Sequence, residues 1–269
     1  MTHIAEIFRA LHVKGDPLLM VNVWDRGSAR MLTAMGAKAL ATSSAAHAFT
    51  LGRPDGGTIT RDEALAHAAE IVSVTDVPVQ GDFENGFGDT PEACAETVRL
   101  AAEVGLAGIC IEDTALPAPE AYGFDLAVAR IAAAAAAARA LPHDFVLTAR
   151  ADGIITGTYG TDEAIRRLIA FEDAGADCLY APLPPDMAAL ARICAATTAP
   201  VNALVAGPFA QHRLAAFANA GVARLSVGSA LARVAHRAIY DAALEMIGDG
   251  AFSALGKGIG SDVIDDLLT

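Results

Sequence analysis

Cations are scarce in this chain. Nineteen Lys and Arg face thirty-two Asp and Glu among 269 residues, a formal net charge of −13. A field of that sign opposes nucleic acid and anionic membrane surfaces. It also opposes an anionic small molecule, so any acid the protein takes up needs a local cation or metal. Cysteine is scarce too, at four residues. Cys94, Cys110, Cys178 and Cys194 form no CxxC pair and have no histidine at ligand spacing, which removes the zinc and redox signatures. They read as buried, reduced thiols, with Cys110 and Cys178 inside apolar strand-like runs. No uncharged apolar stretch is long enough to span a bilayer. The opening segment MTHIAEIFRALHVKGD carries charges throughout and does not read as a secretory signal, so a cytoplasmic location is the default expectation.

Apolar residues, by contrast, make up 54% of the chain, enough for a large core. Short apolar runs alternate with Ala/Leu-rich helical patterns. Strands are predicted at Leu18–Val23, Ala39–Ser44, Val77–Phe83, Gly108–Glu112, Phe145–Ala151, Cys178–Ala181, Val201–Val205 and Ala223–Val227. A helical pattern follows each, the first over about Asp25–Met35 and the last over about Ser229–Ile247. Strands alternating with helices imply a parallel sheet, and eight units without a topological break imply an α/β fold of the (β/α)8 TIM-barrel type. One domain over residues 1–248 is expected, with 249–269 as a tail or oligomer arm.

Local signals support these elements. Thr60 and Glu63 have capping-box spacing, and Thr90-Pro91 reads as N-cap followed by proline at the first helical position. Gly36, Gly105, Gly175 and Gly221 each fall where a left-handed helix stop favours glycine.

Catalytic groups of a barrel gather at the carboxyl ends of its strands. Strand 3 ends in Asp82-Phe-Glu84, whose two-residue spacing predicts side chains on one face. Strand 4 ends in Glu112-Asp113 and strand 5 in Arg150-Ala-Asp152, and the loop after strand 2 carries Asp55. Oxygen ligands at neighbouring strand ends suit a hard cation such as Mg²⁺, which keeps several waters and needs only one or two direct carboxylates. Asp82 is the expected direct ligand, with Glu84, Glu112 and Asp55 around it. Arg150 can clamp a substrate carboxylate in a planar, two-point bond. Each residue also has a plain structural alternative: a helix cap, a solvated loop acid or an ion-pair partner. Ser43 and Ser44, ending strand 2, could begin a turn or offer backbone N–H groups to a carboxylate.

The runs Asn22-Val-Trp24-Asp25, Ala41-Thr-Ser-Ser44, Gly52-Arg-Pro-Asp55, Asp82-Phe-Glu-Asn-Gly-Phe-Gly88, Ile111-Glu-Asp113 and Thr148-Ala-Arg150 together resemble the isocitrate lyase/phosphoenolpyruvate mutase superfamily, in its phosphonomutase-like branch. The resemblance spans about residues 18–240. It implies a Mg²⁺-dependent barrel, with Mn²⁺ as a second option, acting on α-keto or α-hydroxy carboxylates through enolate-like intermediates. A homo-oligomer, dimer or tetramer, is also implied. Carried over by position, Asp82 matches the direct metal ligand, and Glu84 and Glu112 the water-mediated ones. Asp55 matches an acid near metal and substrate. Trp24, Ser43, Ser44 and Arg150 match substrate-binding positions. The chain departs from the superfamily in its strand-4 loop, Thr114–Gly123, which lacks the lyases' K-x-C-G-H motif and the phosphonate mutase's lysine. Strand 7 lacks their Asn-x-Thr-Glu but carries Asn202, which could point inward.

The expected function is therefore a metal-dependent carbon–carbon lyase or decarboxylase of a small 2-oxo or 2-hydroxy acid. Tyr122 and His47 are candidate proton donors. Phosphonomutase or phosphonopyruvate-type hydrolysis is one alternative, and a keto-acid-binding barrel without catalysis is another. Neither nucleic acid nor membrane is an expected partner.

Overall fold

The computed structural model describes residues 3–269. Eight strands pair in sequence order, all parallel, into a closed barrel. They are β1 (Leu18–Asn22), β2 (Leu40–Ala41), β3 (Val79–Asp82), β4 (Gly108–Glu112), β5 (Val146–Arg150), β6 (Cys178–Tyr180), β7 (Val201–Leu204) and β8 (Arg224–Ser226). β8 closes on β1 through Leu18 opposite Arg224 and Met20 opposite Ser226. The predicted strand order and barrel class are those observed. Most strands are shorter than their apolar runs, because buried chain continues past the ladder into the loops. β2 is the extreme case: Ser43 leaves the strand to cap the helix Ser44–Thr50, and its Oγ accepts from the Ala46 amide at 3.3 Å.

The core lies between sheet and helices. Leu40, Ile71, Ile109, Ile111, Leu147, Phe171, Leu179 and Val201 are fully buried there, each contributing about 2–3 kcal/mol by leaving water. Helix ends follow the sequence signals. Thr60 and Glu63 make the reciprocal capping box, and Thr90 caps the helix Pro91–Glu103. Gly36, Gly105, Gly175 and Gly221 all have positive φ, at 96°, 90°, 104° and 85°, which a Cβ would strain.

Two features were not read from the sequence. A helix over Ile4–Ala10 precedes β1. Its Ala5 and Phe8 pack with Leu18, Met20 and Val146 against the start of the strands. The last segment also does not trail free: the helix Ser261–Leu268 returns to the helix Arg26–Ala34, where Arg30 Nη1 donates to the Leu268 carbonyl at 2.8 Å. Ile239, Tyr240, Leu244, Ile247 and Phe252 stay exposed in the segment before it. Among the described residues no helix is long and apolar enough to cross a membrane.

Candidate active site

The strand ends enclose a cavity of about 370 Å³. Register brings its walls together. Glu112 sits opposite Arg150, Arg150 opposite Tyr180, and Tyr180 opposite Asn202. Asp82, Glu84, Asp55, Glu112 and Asp152 all line it, with Arg150 among them.

Arg150 is the hub. Its Nη1 meets Asp82 Oδ1 at 3.1 Å, and its Nη2 meets Glu112 Oε2 at 3.1 Å and Asp152 Oδ2 at 2.7 Å. Nε donates to Asp152 Oδ1 at 3.1 Å, completing a two-point bond. Burial works against the Arg150 charge, but Asp152, Glu112 and Asp82 outweigh it and hold the guanidinium protonated. On the far side of Asp82, the Ser44 amide and hydroxyl both donate to Oδ2 at 2.9 Å. The Asp82 amide donates to Thr42 Oγ1 at 2.8 Å. Asp82 is thus fixed from three sides before any ligand arrives.

Glu84 reaches the cavity differently from the sequence expectation. β3 ends at Asp82, so strand alternation does not place Glu84. A turn does, with Glu84 at φ 45° and Gly86 at φ 79°. A left-handed, non-glycine residue stores strain. Here it is held by the Glu84 carbonyl accepting from the Glu112 amide at 2.9 Å and by its Oε1 accepting from the Gly57 amide at 3.2 Å.

The acids exceed the available cations. Burial pushes the Glu84 carboxyl up to about 7, and Asp82 and Asp55 repel its charge. Burial raises Asp55 too, with Asp82 adding to the effect. Glu112 and Asp152 are also raised by burial, against the pull of Arg150. A carboxylate whose folded value exceeds its unfolded one costs stability once pH passes the folded value, and costs nothing below the unfolded one. Metal-free Glu84→Gln is therefore expected to match the wild type near pH 4.5 and to exceed it above pH 7. The gain should be about 3 kcal/mol at most. Urea unfolding of both proteins across pH, in chelator, measures it, and a difference that does not change with pH refutes it.

Among the described residues no three His, Cys, Asp or Glu side chains close into a metal cage. A Mg²⁺ site needs no such cage, because Mg²⁺ takes one or two direct carboxylates and keeps its waters. The donor set is all oxygen apart from the Cys110 thiol, which burial pushes well up and keeps protonated. The residues present therefore fit a hard divalent cation at Asp82, with Glu84 and Glu112 beside it.

The phosphoenolpyruvate phosphomutase family model matches residues 8–247. The chain belongs to this family. It lies within the isocitrate lyase/phosphoenolpyruvate mutase superfamily, a superfamily of enzymes. A Burkholderia cenocepacia J2315 structure, described only broadly as a lyase/mutase, shares 46% identity at a TM-score of 0.93, with 97% of this chain and 94% of that one covered. Oxaloacetate decarboxylase of Paraburkholderia xenovorans is 32% identical over 249 residues, 88% of this chain and 80% of its own. A structure of oxaloacetate acetylhydrolase in complex with its product oxalate shares 26% identity at a TM-score of 0.87, covering 98% and 93%.

In this phosphomutase-family barrel the sequence-predicted residues divide. Asp55, Asp82, Glu84, Glu112, Arg150, Ser43, Ser44 and Asn202 line one cavity. Trp24 does not: it precedes the helix Arg26–Ala34, and its carbonyl bonds to His67 Nε2 at 2.8 Å. Tyr122 does not either. Its hydroxyl donates to Asp89 Oδ1 at 2.6 Å and accepts from Asn85 Nδ2 at 3.0 Å, and the Arg130 guanidinium covers its ring at 4.1 Å. It is a buried loop anchor, and the expected proton-donor role is withdrawn. Tyr122→Phe is expected to leave turnover within about twofold while lowering stability by about 1–2 kcal/mol, the cost of a lost buried hydrogen bond. Paired kinetics and denaturant melts check this. His47, the other candidate donor, is not among the cavity's lining residues; it is buried and stacked on His67 at 3.9 Å. Arg53 turns outward to Glu63 at 2.9 Å.

Sequence reasoning passed over Thr42, Gln80, Tyr180, Arg224 and Ser226, which also line the cavity. Polar residues at alternate positions of otherwise apolar strands were the available signal. A neighbouring groove of about 530 Å³ shares Glu84 and Leu116 with the cavity but holds none of the acids that meet Arg150.

Proposed function

We propose that the chain is a Mg²⁺-dependent lyase or decarboxylase of a small 2-oxo or 2-hydroxy carboxylate, working through an enolate-like intermediate. The carrying observation is the cavity's charge pattern. Asp55, Asp82, Glu84, Glu112 and Asp152 converge at the strand ends around one arginine.

Bound Mg²⁺ would supply Lewis-acid polarisation of the substrate's carboxylate and its neighbouring oxygen. Asp82 would hold it directly, with Glu84 and Glu112 meeting its waters. Arg150 meets the substrate carboxylate with donors that are now shared among three acids, and burial makes those bonds strong. Ser44 keeps Asp82 aimed. The strand-4 loop brings Leu116, Pro117 and Pro119 to the cavity, apolar groups that exclude water without donating a proton. Tyr180 also lines the cavity, and burial pushes its hydroxyl well above the usual range. Tyr180 therefore keeps its proton at neutral pH and would be a hydrogen-bond donor to the substrate.

No lysine lines the cavity and Arg53 faces away to Glu63, so a phosphoryl group would meet only Arg150 and Arg224 there. The exposed apolar side chains of the last helices support a homo-oligomer. The decisive assay follows Mg²⁺-dependent pyruvate release from a panel of 2-oxo and 2-hydroxy diacids that includes oxaloacetate, with chelator as control. Metal-dependent turnover of one panel member is expected. No turnover of any member, with no metal uptake, would refute the proposal.

A further inference from the structure

A second arginine lies under the cavity floor without an acid. Arg224 on β8 is 1% exposed and lines the cavity. Buried charges are ordinarily paired, as Arg150 is with three carboxylates and Arg167 with Asp113 and Glu163; Arg130, outside the cavity, ends on the Gly88 and Asn85 carbonyls instead. Among the described residues no carboxylate stands within ion-pair reach of Arg224. Its fork ends on neutral acceptors instead. Nε donates to Asn202 Oδ1 at 2.9 Å, Nη1 to Gln80 Oε1 at 2.7 Å, and Nη2 to Thr148 Oγ1 at 3.2 Å. Nη1 also meets His12 Nε2 at 3.0 Å.

The directions of these bonds are forced. A guanidinium has five donors and no acceptor. Asn202 must therefore turn its oxygen to Arg224, which leaves its Nδ2 on the other side, donating to Ser226 Oγ at 2.9 Å. Both Asn202 and Ser226 line the cavity. Thr148, having accepted from Nη2, donates its own hydroxyl hydrogen bond to Gln80 Oε1 at 3.1 Å. Below, His12 Nδ1 bonds to the Phe8 carbonyl at 2.8 Å, so it carries the proton and Nε2 keeps its lone pair for Arg224. Burial and the Arg224 charge push His12 down to about 3, so it stays neutral. The network links β3, β5, β7 and β8, and reversing the Asn202 amide would face two donors at Arg224. The acids of the cavity run from the loop after β2 round to the end of β5, which leaves the β7–β8 side, over an unneutralised cation, as the less negative wall.

We propose that Arg224 is a positioning residue that locks Asn202 with its Nδ2 turned to Ser226 on the cavity wall, and so selects ligands carrying a second carboxylate at the β7–β8 wall. This rests on the cavity being the substrate site.

The test uses full-length, Mg²⁺-loaded protein and two 2-hydroxy acids, glycolate and DL-malate, which differ by the second carboxylate. Calorimetric titration is expected to show malate preferred over glycolate by about tenfold or more in the wild type. In Arg224→Met that preference should fall by about tenfold, with glycolate affinity within about twofold. Arg224→Lys, which still donates, should restore part of it. Asn202→Asp places an ion pair over Arg224 and replaces the donor with an acceptor. Its melting temperature should hold while the malate preference disappears, which a merely structural role would not produce. This variant carries the test if Arg224→Met fails to fold. A folded Arg224→Met or Asn202→Asp with the wild-type preference overturns the proposal, as does a wild type that binds both acids equally. A wild type that binds neither acid overturns the substrate-site reading itself.

Discussion

Asp82→Ala is expected to abolish divalent metal uptake and to lower turnover by about 10³-fold or more. The argument is one of geometry. Asp82 ends β3, is gripped by Ser44 on one oxygen and by Arg150 on the other, and adds its charge to every neighbouring acid. Removing it lessens repulsion on Asp55, Glu84, Glu112 and Asp152, so the metal-free variant should fold. The two proteins separate when metal is added. At Mg²⁺ about 100-fold above its Kd the wild type should gain about 2.7 kcal/mol by mass action, while the variant gains nothing. Thermal melts with and without Mg²⁺ or Mn²⁺, beside calorimetry, read this directly. An unchanged metal-induced shift in Asp82→Ala would place the cation elsewhere and remove the basis of the proposed enzyme.

Arg150→Met should have the largest effect on stability. Its guanidinium, 14% exposed, is the shared partner of Asp82, Glu112 and Asp152, whose side chains are 17%, 9% and 5% exposed. Deleting one partner of a buried ion pair leaves uncompensated charge, at a cost of about 3–5 kcal/mol. Burial already raises Glu112 and Asp152, and Arg150 is what opposes that rise. Without Arg150 both would be raised further, so the folded state would hold more protons than the unfolded one over a wider pH range. Stability lost to the mutation should therefore grow as pH rises and shrink as pH falls toward the unfolded carboxyl values. Denaturant melts from acid to neutral pH test the sign, and a deficit that grows on acidification would refute it. Mg²⁺ should restore part of the loss by replacing the missing positive charge. Activity should not return, because the substrate carboxylate has lost its two-point donor.

How far the site was legible depends on how each residue is held. Asp82, Glu112 and Arg150 end regular strands, and strand alternation with barrel topology sends such residues to one rim. Glu84 was assigned to that rim for an incomplete reason, since a left-handed turn, not strand pleat, carries it there. Tyr122 and Trp24 were misplaced because a loop's position in sequence does not say which way its side chains turn. Tyr122 turned to Asp89 and Trp24 lies outside the cavity. Arg224 was hidden because a single arginine in an apolar run has no local marker of its partners, which come from β3, β5 and β7 and from the segment after the first helix.

Sequence alone determined the eight alternating units, their parallel order, the helix caps and glycine stops, and the acids that cluster at strand ends. These follow from hydrophobic period, backbone sterics and local hydrogen bonding, all of which act over a few residues. Only the tertiary structure decided that Arg150 would neutralise three of those acids, that Glu84 would be raised to about 7, and that Arg224 would set the direction of Asn202. Charge balance and hydrogen-bond direction depend on which groups share a buried volume, and closing the barrel is what brings together residues far apart in the chain.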